Sequence, residues 1–140
     1  MKNDERASKI VSQMLENDPF SRWLDIEVLE VREGFCKAGM TVRDEMLNGF
    51  GVTHGGILFS LADSALAFAS ATYGKISFGI DHSISFTKKT GNGDYLTAEA
   101  SCIYQGNQTG VVQVIINNQK NQTVAVLKGT IFRTEKEIIA

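Results

Sequence analysis

Residues 57–72 sort on a helical wheel into two unequal arcs, and that division limits what can surround them. At about 100° per residue, Ile57, Phe68, Leu61, Ala65, Leu58, Ala69, Ala62, Leu66 and Phe59 fill one arc roughly 200° wide. The other arc holds only Ser60, Asp63, Ser64, Ala67, Ser70 and Ala71. A helix face turned to water carries long polar side chains, and this one carries none. The apolar arc needs a curved sheet wrapped around it. The small-residue arc admits another backbone at close range and predicts a second subunit as its cover, the alternative being that the same sheet wraps that side too. Asp63 is the single charge in the segment. A carboxylate taken out of water is costly unless it is paired or hydrogen-bonded. Asp63 is therefore a candidate base or nucleophile, or a residue that bonds backbone groups at an interface.

The flanking segments supply the sheet. Asn3 or Asp4 is placed to cap a short first helix, on which Ala7, Ile10, Val11, Met14 and Leu15 share a face. Asn17-Asp18-Pro19 ends it, and Phe20, Trp23 and Leu24 read as anchors to the core. Alternating runs at 26–32 and 35–42, joined at Glu33-Gly34, predict a hairpin. A loop covers 44–54, and the long helix starts at Gly55-Gly56 and runs to about Thr72. Strands follow at 76–87, 95–104, 109–117 and 123–133, read as a four-strand meander. In the first of these, period two puts Ile76, Phe78, Ile80, His82, Ile84 and Phe86 on one face. His82 then reads as a satisfied core histidine. The expectation is one α+β domain over 1–140, with no linker, repeat or low-complexity segment.

Composition narrows the function classes. The net charge is −2 and the pI about 5.7, without the basic stripe of a nucleic-acid binder. The polar start MKNDERASKI lacks the apolar core of a signal peptide, and residues 55–71 are interrupted too often for a membrane span. A cytoplasmic protein is expected, with no nucleic-acid or membrane partner. Cys36 and Cys102 read as reduced core residues, and two cysteines with two histidines give no metal-ligand spacing. Neither a metal nor a cofactor is expected.

The start of the long helix is the second chemical feature. First-turn N–H groups are unpaired and carry partial positive charge, and Gly55-Gly56 lets a ligand approach them. Such a place suits a developing oxyanion. His54 directly precedes the pair and Asn48 lies six residues earlier, each a possible donor to a carbonyl oxygen.

The run Asn48-Gly49-Phe50-Gly51-Val52-Thr53-His54-Gly55-Gly56, followed by Leu61-Ala62-Asp63, resembles the hotdog-fold acyl-CoA thioesterases of the phenylacetate-pathway family. The resemblance extends from the 20–24 segment to the last strand. It implies a long central helix wrapped by a curved antiparallel sheet, a homodimer with shared active sites, and dimers paired again into a homotetramer. It implies an acyl-CoA substrate whose carbonyl is polarised by Gly55 N–H, with help from Asn48 or His54. Asp63 of the opposite subunit would activate water or attack directly. Gly56 falls in the same site, and Phe50, Phe59 and Phe68 are candidates to line an acyl or aryl pocket, the alternative being that they are core residues.

Two positions depart from the family's pattern. Gly79 stands where a Ser or Thr often precedes the strand's Asp81 by two, leaving Ser77 or Ser83 as substitutes. Asp25 stands where glycine is common. Lys88-Lys89, Lys128 and Arg133 are the candidate cations for coenzyme A phosphates, the alternative for strand-end lysines being solvated surface or edge protection, and the turn through Gly106, Asn107 and Thr109 resembles the family's phosphate-side contact. Two other functions compete: a 3-hydroxyacyl-thioester dehydratase or hydratase, favoured if His82 lies near Asp63, and a non-catalytic acyl-CoA binder.

Overall fold

The computed structural model describes residues 2–138. Helix α1 (Lys2–Glu16) carries Asp4 and Glu5 in its first turn, where they suit the helix dipole, and buries Ala7, Ile10 and Val11. A short α2 (Pro19–Trp23) follows. Asp18 caps it, accepting from Ser21 N at 3.0 Å and Ser21 Oγ at 2.6 Å, with proline at the helix start. It closes with paired bonds from Asp25 N to Arg22 O (3.0 Å) and Ile26 N to Ser21 O (3.2 Å), the Schellman pattern. Asp25 takes the left-handed position at φ 59°. Leu24 and Ile26 are buried as anchors. Phe20 and Trp23, expected beside them, instead stack on each other at the surface. A five-residue helix has one inward face, and Ser21 and Leu24 occupy it.

Six antiparallel strands form the sheet: β1 (Glu27–Arg32), β2 (Phe35–Thr41), β3 (Lys75–Phe86), β4 (Tyr95–Gln105), β5 (Thr109–Asn117) and β6 (Thr123–Glu137). Their spatial order is β1-β2-β4-β5-β6-β3. This corrects the four-strand meander. Only β4, β5 and β6 meander. The segment 87–94 between β3 and β4 is too long for a tight hairpin; it carries the chain past the start of the long helix, so β4 pairs with β2 and β3 with β6. Helix α3 (Gly55–Ala71) lies in the concave face of the sheet. Leu58, Leu61, Ala62, Ala65, Leu66, Phe68 and Ala69 meet Cys36, Ala38 and Met40 of β2 and Leu96, Ala98 and Ala100 of β4 in one core, with Val112, Val114, Ile116, Leu127 and Ile131. No described helix is long and apolar enough to cross a membrane.

The register of β3 also differs from simple alternation. Gly79 pairs with Ile131 and Asp81 with Thr130, so Ile80 is an extra residue in a bulge. Beyond it the faces exchange. Phe78 pairs with Phe132 on the convex side, whereas His82, Ile84 and Phe86 pair with Gly129, Leu127 and Ala125 on the concave side. Phe78 and Ile80 are exposed. A glycine inside a strand is a bulge signal, and Gly79 was that signal here.

Candidate active site

The loop before α3 is built on its own hydrogen bonds. Asn48 Oδ1 accepts from Phe50 N (2.9 Å) and Val52 N (3.2 Å), and His54 N donates to Met46 O (2.8 Å). Thr53 N donates to Thr90 O at 2.8 Å, and Thr90 Oγ1 to Thr53 Oγ1 at 2.7 Å, tying the loop to the segment after β3. Phe50, at the tip, is 92% exposed, and Phe68 is core. Asn48 spends its oxygen on the loop and keeps its NH2 group without a partner among the described residues.

His54 is the N-cap of α3. Its Nδ1 accepts from Gly56 N (3.1 Å) and its carbonyl from Ile57 N (2.9 Å). Gly56 therefore has no amide to offer a ligand, a correction to its expected part in binding. Gly55 N–H has no acceptor among the described residues. The first turn is thus reduced to one open donor. With Nδ1 accepting, the proton of a neutral His54 sits on Nε2. A cavity of about 370 Å³ opens beside this donor, lined by Gly55, Leu58, Phe86, Lys88, Lys89 and Thr90 among others. Lys88 is therefore brought to the helix start.

Asp63 lies two turns further along α3, with its side chain 51% exposed. Its Oδ1 is 3.0 Å from His82 Nε2. The imidazole is only 10% exposed. It lies in a slot left by two glycines: a Cβ on Gly79 would meet Nε2 at 2.5 Å, and one on Gly129 would meet Nδ1 at 2.5 Å. His82 Nδ1 is buried without a partner. The Phe59 ring stands 6.0 Å from the imidazole, so Phe59 belongs to this site. His82 is the residue that the sequence reading missed. Plain alternation set it on the core-facing side with Ile84 and Phe86, where it lies, but did not join it to Asp63.

The remaining expected residues separate. Ser77 Oγ bonds Ser70 Oγ at 3.0 Å, and Ser70 is nearly two turns from Asp63. Ser83 pairs with Lys128 on the convex face, away from the carboxylate. Neither replaces the missing hydroxyl at Gly79. The small-residue arc is only partly open. Ser64 is buried by its 2.7 Å bond to Ser21 Oγ, and Ser70 and Ala71 are buried within the chain. The part left to another molecule runs through Gly56, Ser60, Asp63 and Ala67.

The turn of Gly106, Asn107 and Thr109 sits elsewhere, beside a groove of about 980 Å³ that includes Asn107, Thr109 and Lys75 and shares no lining residue with the Gly55 cavity. Gly106 N–H is spent on Thr109 O (2.8 Å). Arg133, expected as a cation for phosphate, is buried and donates to the carbonyls of Gly106 and Asn107. It braces the turn. Cys36 is buried, Cys102 partly so, and both are free. Among the described residues no three His, Cys, Asp or Glu side chains are grouped to hold a metal ion.

A long helix held in a six-stranded antiparallel sheet, with an open amide at its start and a carboxylate two turns on, defines a hotdog-fold protein. The sequence profile of the thioesterase superfamily matches residues 50–125, and the chain belongs to that superfamily. It is 42% identical over 120 residues to the acyl-coenzyme A thioesterase PaaI of Escherichia coli, covering 86% of each protein. It is 38% identical to a putative esterase of Archaeoglobus fulgidus, over 97% of this chain and 88% of that one. The solved structure of the E. coli PaaI protein, from the phenylacetic acid degradation operon, superposes with a TM-score of 0.95 at 39% identity, covering 97% of this chain and 99% of that one. A hypothetical thioesterase of Streptococcus pneumoniae, solved with coenzyme A, superposes with a TM-score of 0.84 at 28% identity over 90% and 98% of the two chains.

Proposed function

We propose that this chain hydrolyses acyl-CoA thioesters, with each active site assembled from two subunits. One observation carries the reading. The open amide of Gly55 and the carboxylate of Asp63 are eight residues apart on one straight helix, about 12 Å at the rise of an α-helix. A carbonyl oxygen on one donor and a water on the other need both within hydrogen-bond reach of a single carbon. One chain cannot span that. Two copies of α3 packed antiparallel along the open Gly56, Ser60, Asp63, Ala67 stripe bring Gly55 of one to Asp63 of the other.

In this reading Gly55 N–H stabilises the charge that develops on the thioester oxygen, with the Asn48 NH2 group as a second donor. Asp63 takes a proton from water as the water oxygen bonds to the carbonyl carbon. The tetrahedral intermediate collapses, the C–S bond breaks, and coenzyme A leaves as the thiolate beside His54 Nε2–H. Direct attack by Asp63, through a mixed anhydride, uses the same groups. Phe59 borders the acyl side. Lys88 and Lys89 offer charge to the coenzyme's phosphates, as do Asn107 and Thr109 by hydrogen bonding. The names of the E. coli relative and of the coenzyme A-bound structure support this substrate class. A cytoplasmic homotetramer of one-domain subunits completes the reading.

The 3.0 Å contact of His82 with Asp63 favours a second reading, a 3-hydroxyacyl-thioester hydratase. Its geometry argues against that role. A histidine that moves a substrate proton needs a nitrogen facing substrate, and here Nε2 is engaged while Nδ1 is sealed.

The test is free-thiol release from aryl-acetyl and straight-chain acyl-CoA esters. Wild type is expected to release thiol and Asp63→Asn to lose about 10²–10⁴ of the rate. Mixed dimers of Asp63→Asn with Gly55→Pro should regain activity. No release from any ester, with hydration of an enoyl-CoA instead, would replace hydrolysis by the second reading. Binding without either reaction would make the chain an acyl-CoA binder.

A further inference from the structure

We infer that His82 is the positioning residue for Asp63, acting as a neutral Nε2–H donor that holds one carboxylate oxygen and leaves the other for the reacting water. The inference rests on the role proposed above for Asp63.

Gly79, three residues back along β3, and Gly129, the β6 partner of His82, flank the imidazole, and a Cβ on either would collide with it at 2.5 Å. The Phe59 ring of α3 stands 6.0 Å from the imidazole, and a Cβ on Gly129 would also meet Leu66 of α3 at 2.5 Å. The ring therefore has one placement, and that placement points Nε2 at Asp63 Oδ1. Protonation follows from the other nitrogen. Nδ1 is buried in this chain with no acceptor. An imidazolium, or the Nδ1–H tautomer, would leave a buried N–H without a partner, which costs more than a bare nitrogen lone pair left unbonded. The proton must sit on Nε2, where the carboxylate accepts it. His82 then has no proton to exchange with substrate, because its one N–H is used and its lone pair is enclosed. Its contribution is to fix the side-chain torsion of Asp63. This also gives Gly79 a reason. A hydroxyl-bearing side chain there would occupy the space that the imidazole fills.

The experiment compares His82→Leu, which fills the slot without a donor, with His82→Gln, whose amide N–H reaches about as far as Nε2. Loss of one charge-assisted hydrogen bond in the reacting state predicts that His82→Leu lowers kcat by about 10- to 100-fold. KM should move by less than about twofold, and His82→Gln should recover most of the loss. In an Asp63→Asn background, His82→Leu should add less than about twofold. On the wild-type protein, 15N–1H correlation of the imidazole near neutral pH should show Nε2 protonated and Nδ1 bare. Wild-type kcat in His82→Leu, with Asp63→Asn inactive, overturns the inference and leaves the thioesterase reading intact. Full activity in Asp63→Asn overturns that reading itself. Equal losses in His82→Leu and His82→Gln, both stably folded, reduce His82 to a filler. If His82→Leu does not fold, the tautomer decides: an imidazolium or an Nδ1–H form overturns the inference.

Discussion

His82 Nε2 lies 3.0 Å from Asp63 Oδ1, which joins the middle of the edge strand to the middle of the central helix. The joint depends on a missing Cβ. Gly79→Ala places a methyl 2.5 Å from the His82 ring, and overpacking of this kind costs about 1–3 kcal/mol. Both thermal stability and thiol release should fall. In a His82→Ala background the same change should cost little, because the ring is gone. Denaturant melts of the four proteins measure that non-additivity, and an additive result would mean the slot is not what Gly79 provides.

Gly55→Pro isolates the open amide. Proline suits the first helical position, where the missing N–H would be unpaired in any case. His54, just before it, is already extended at φ −61° and ψ 134°, as a residue preceding proline must be. The helix should form, while the Phe86 ring, 3.1 Å from where a Cβ would sit, shifts slightly. Turnover should drop by about 10²–10³, the usual loss for one oxyanion donor, with circular dichroism unchanged. Turnover within a few-fold of wild type would show that this amide does not touch the reacting oxygen.

Asp25→Gly should stabilise the fold. Asp25 sits at φ 59° directly after α2, the Schellman position in which glycine carries no Cβ penalty. The gain should be about 0.5–1 kcal/mol, visible as a melting temperature raised by a few degrees with thiol release unaltered.

Alkaline pH should loosen the chain through its thiols. Burial pushes the Cys36 thiol from 9.0 up to about 12 and the Cys102 thiol up to about 11. The folded chain thus keeps protons that the unfolded chain gives up. Stability is fully present below pH about 9 and is lost as pH rises toward 11–12. Cys36→Ala, less stable at neutral pH for want of packing, should lose less between about pH 8 and pH 10 than wild type does. Parallel melting curves for the two proteins would assign the alkaline loss to other groups.

Sequence periodicity was enough to find α3 and all six strands, because each carries its own apolar pattern. It did not order them. The neighbour of β3 is decided by where 87–94 leads the chain, and Thr53–Thr90 bonding belongs to no periodic signal. The motif from Asn48 to Asp63 was readable because its residues share one loop and one helix, so their spacing is their geometry. The His82 contact was not, since alternation sets a side chain on the core-facing side without saying which helix residue it meets; the residue inserted at Ile80 displaces Phe78 instead. Gly56 was overvalued for a related reason: the sequence shows that amides open the helix but not that His54 Nδ1 claims one of them.

The far-edge placement of β3 has a cost during synthesis. Its partners lie in β6, well after it in the sequence, with Phe86 against Ala125 and Lys75 against Glu137. Helix α3 and β3 leave the ribosome while the strand that must cover them is still untranslated. Non-local pairing of this sort closes late, and apolar surface waiting for it is open to aggregation. Nascent chains halted before residue 123 should therefore be the form most in need of a chaperone.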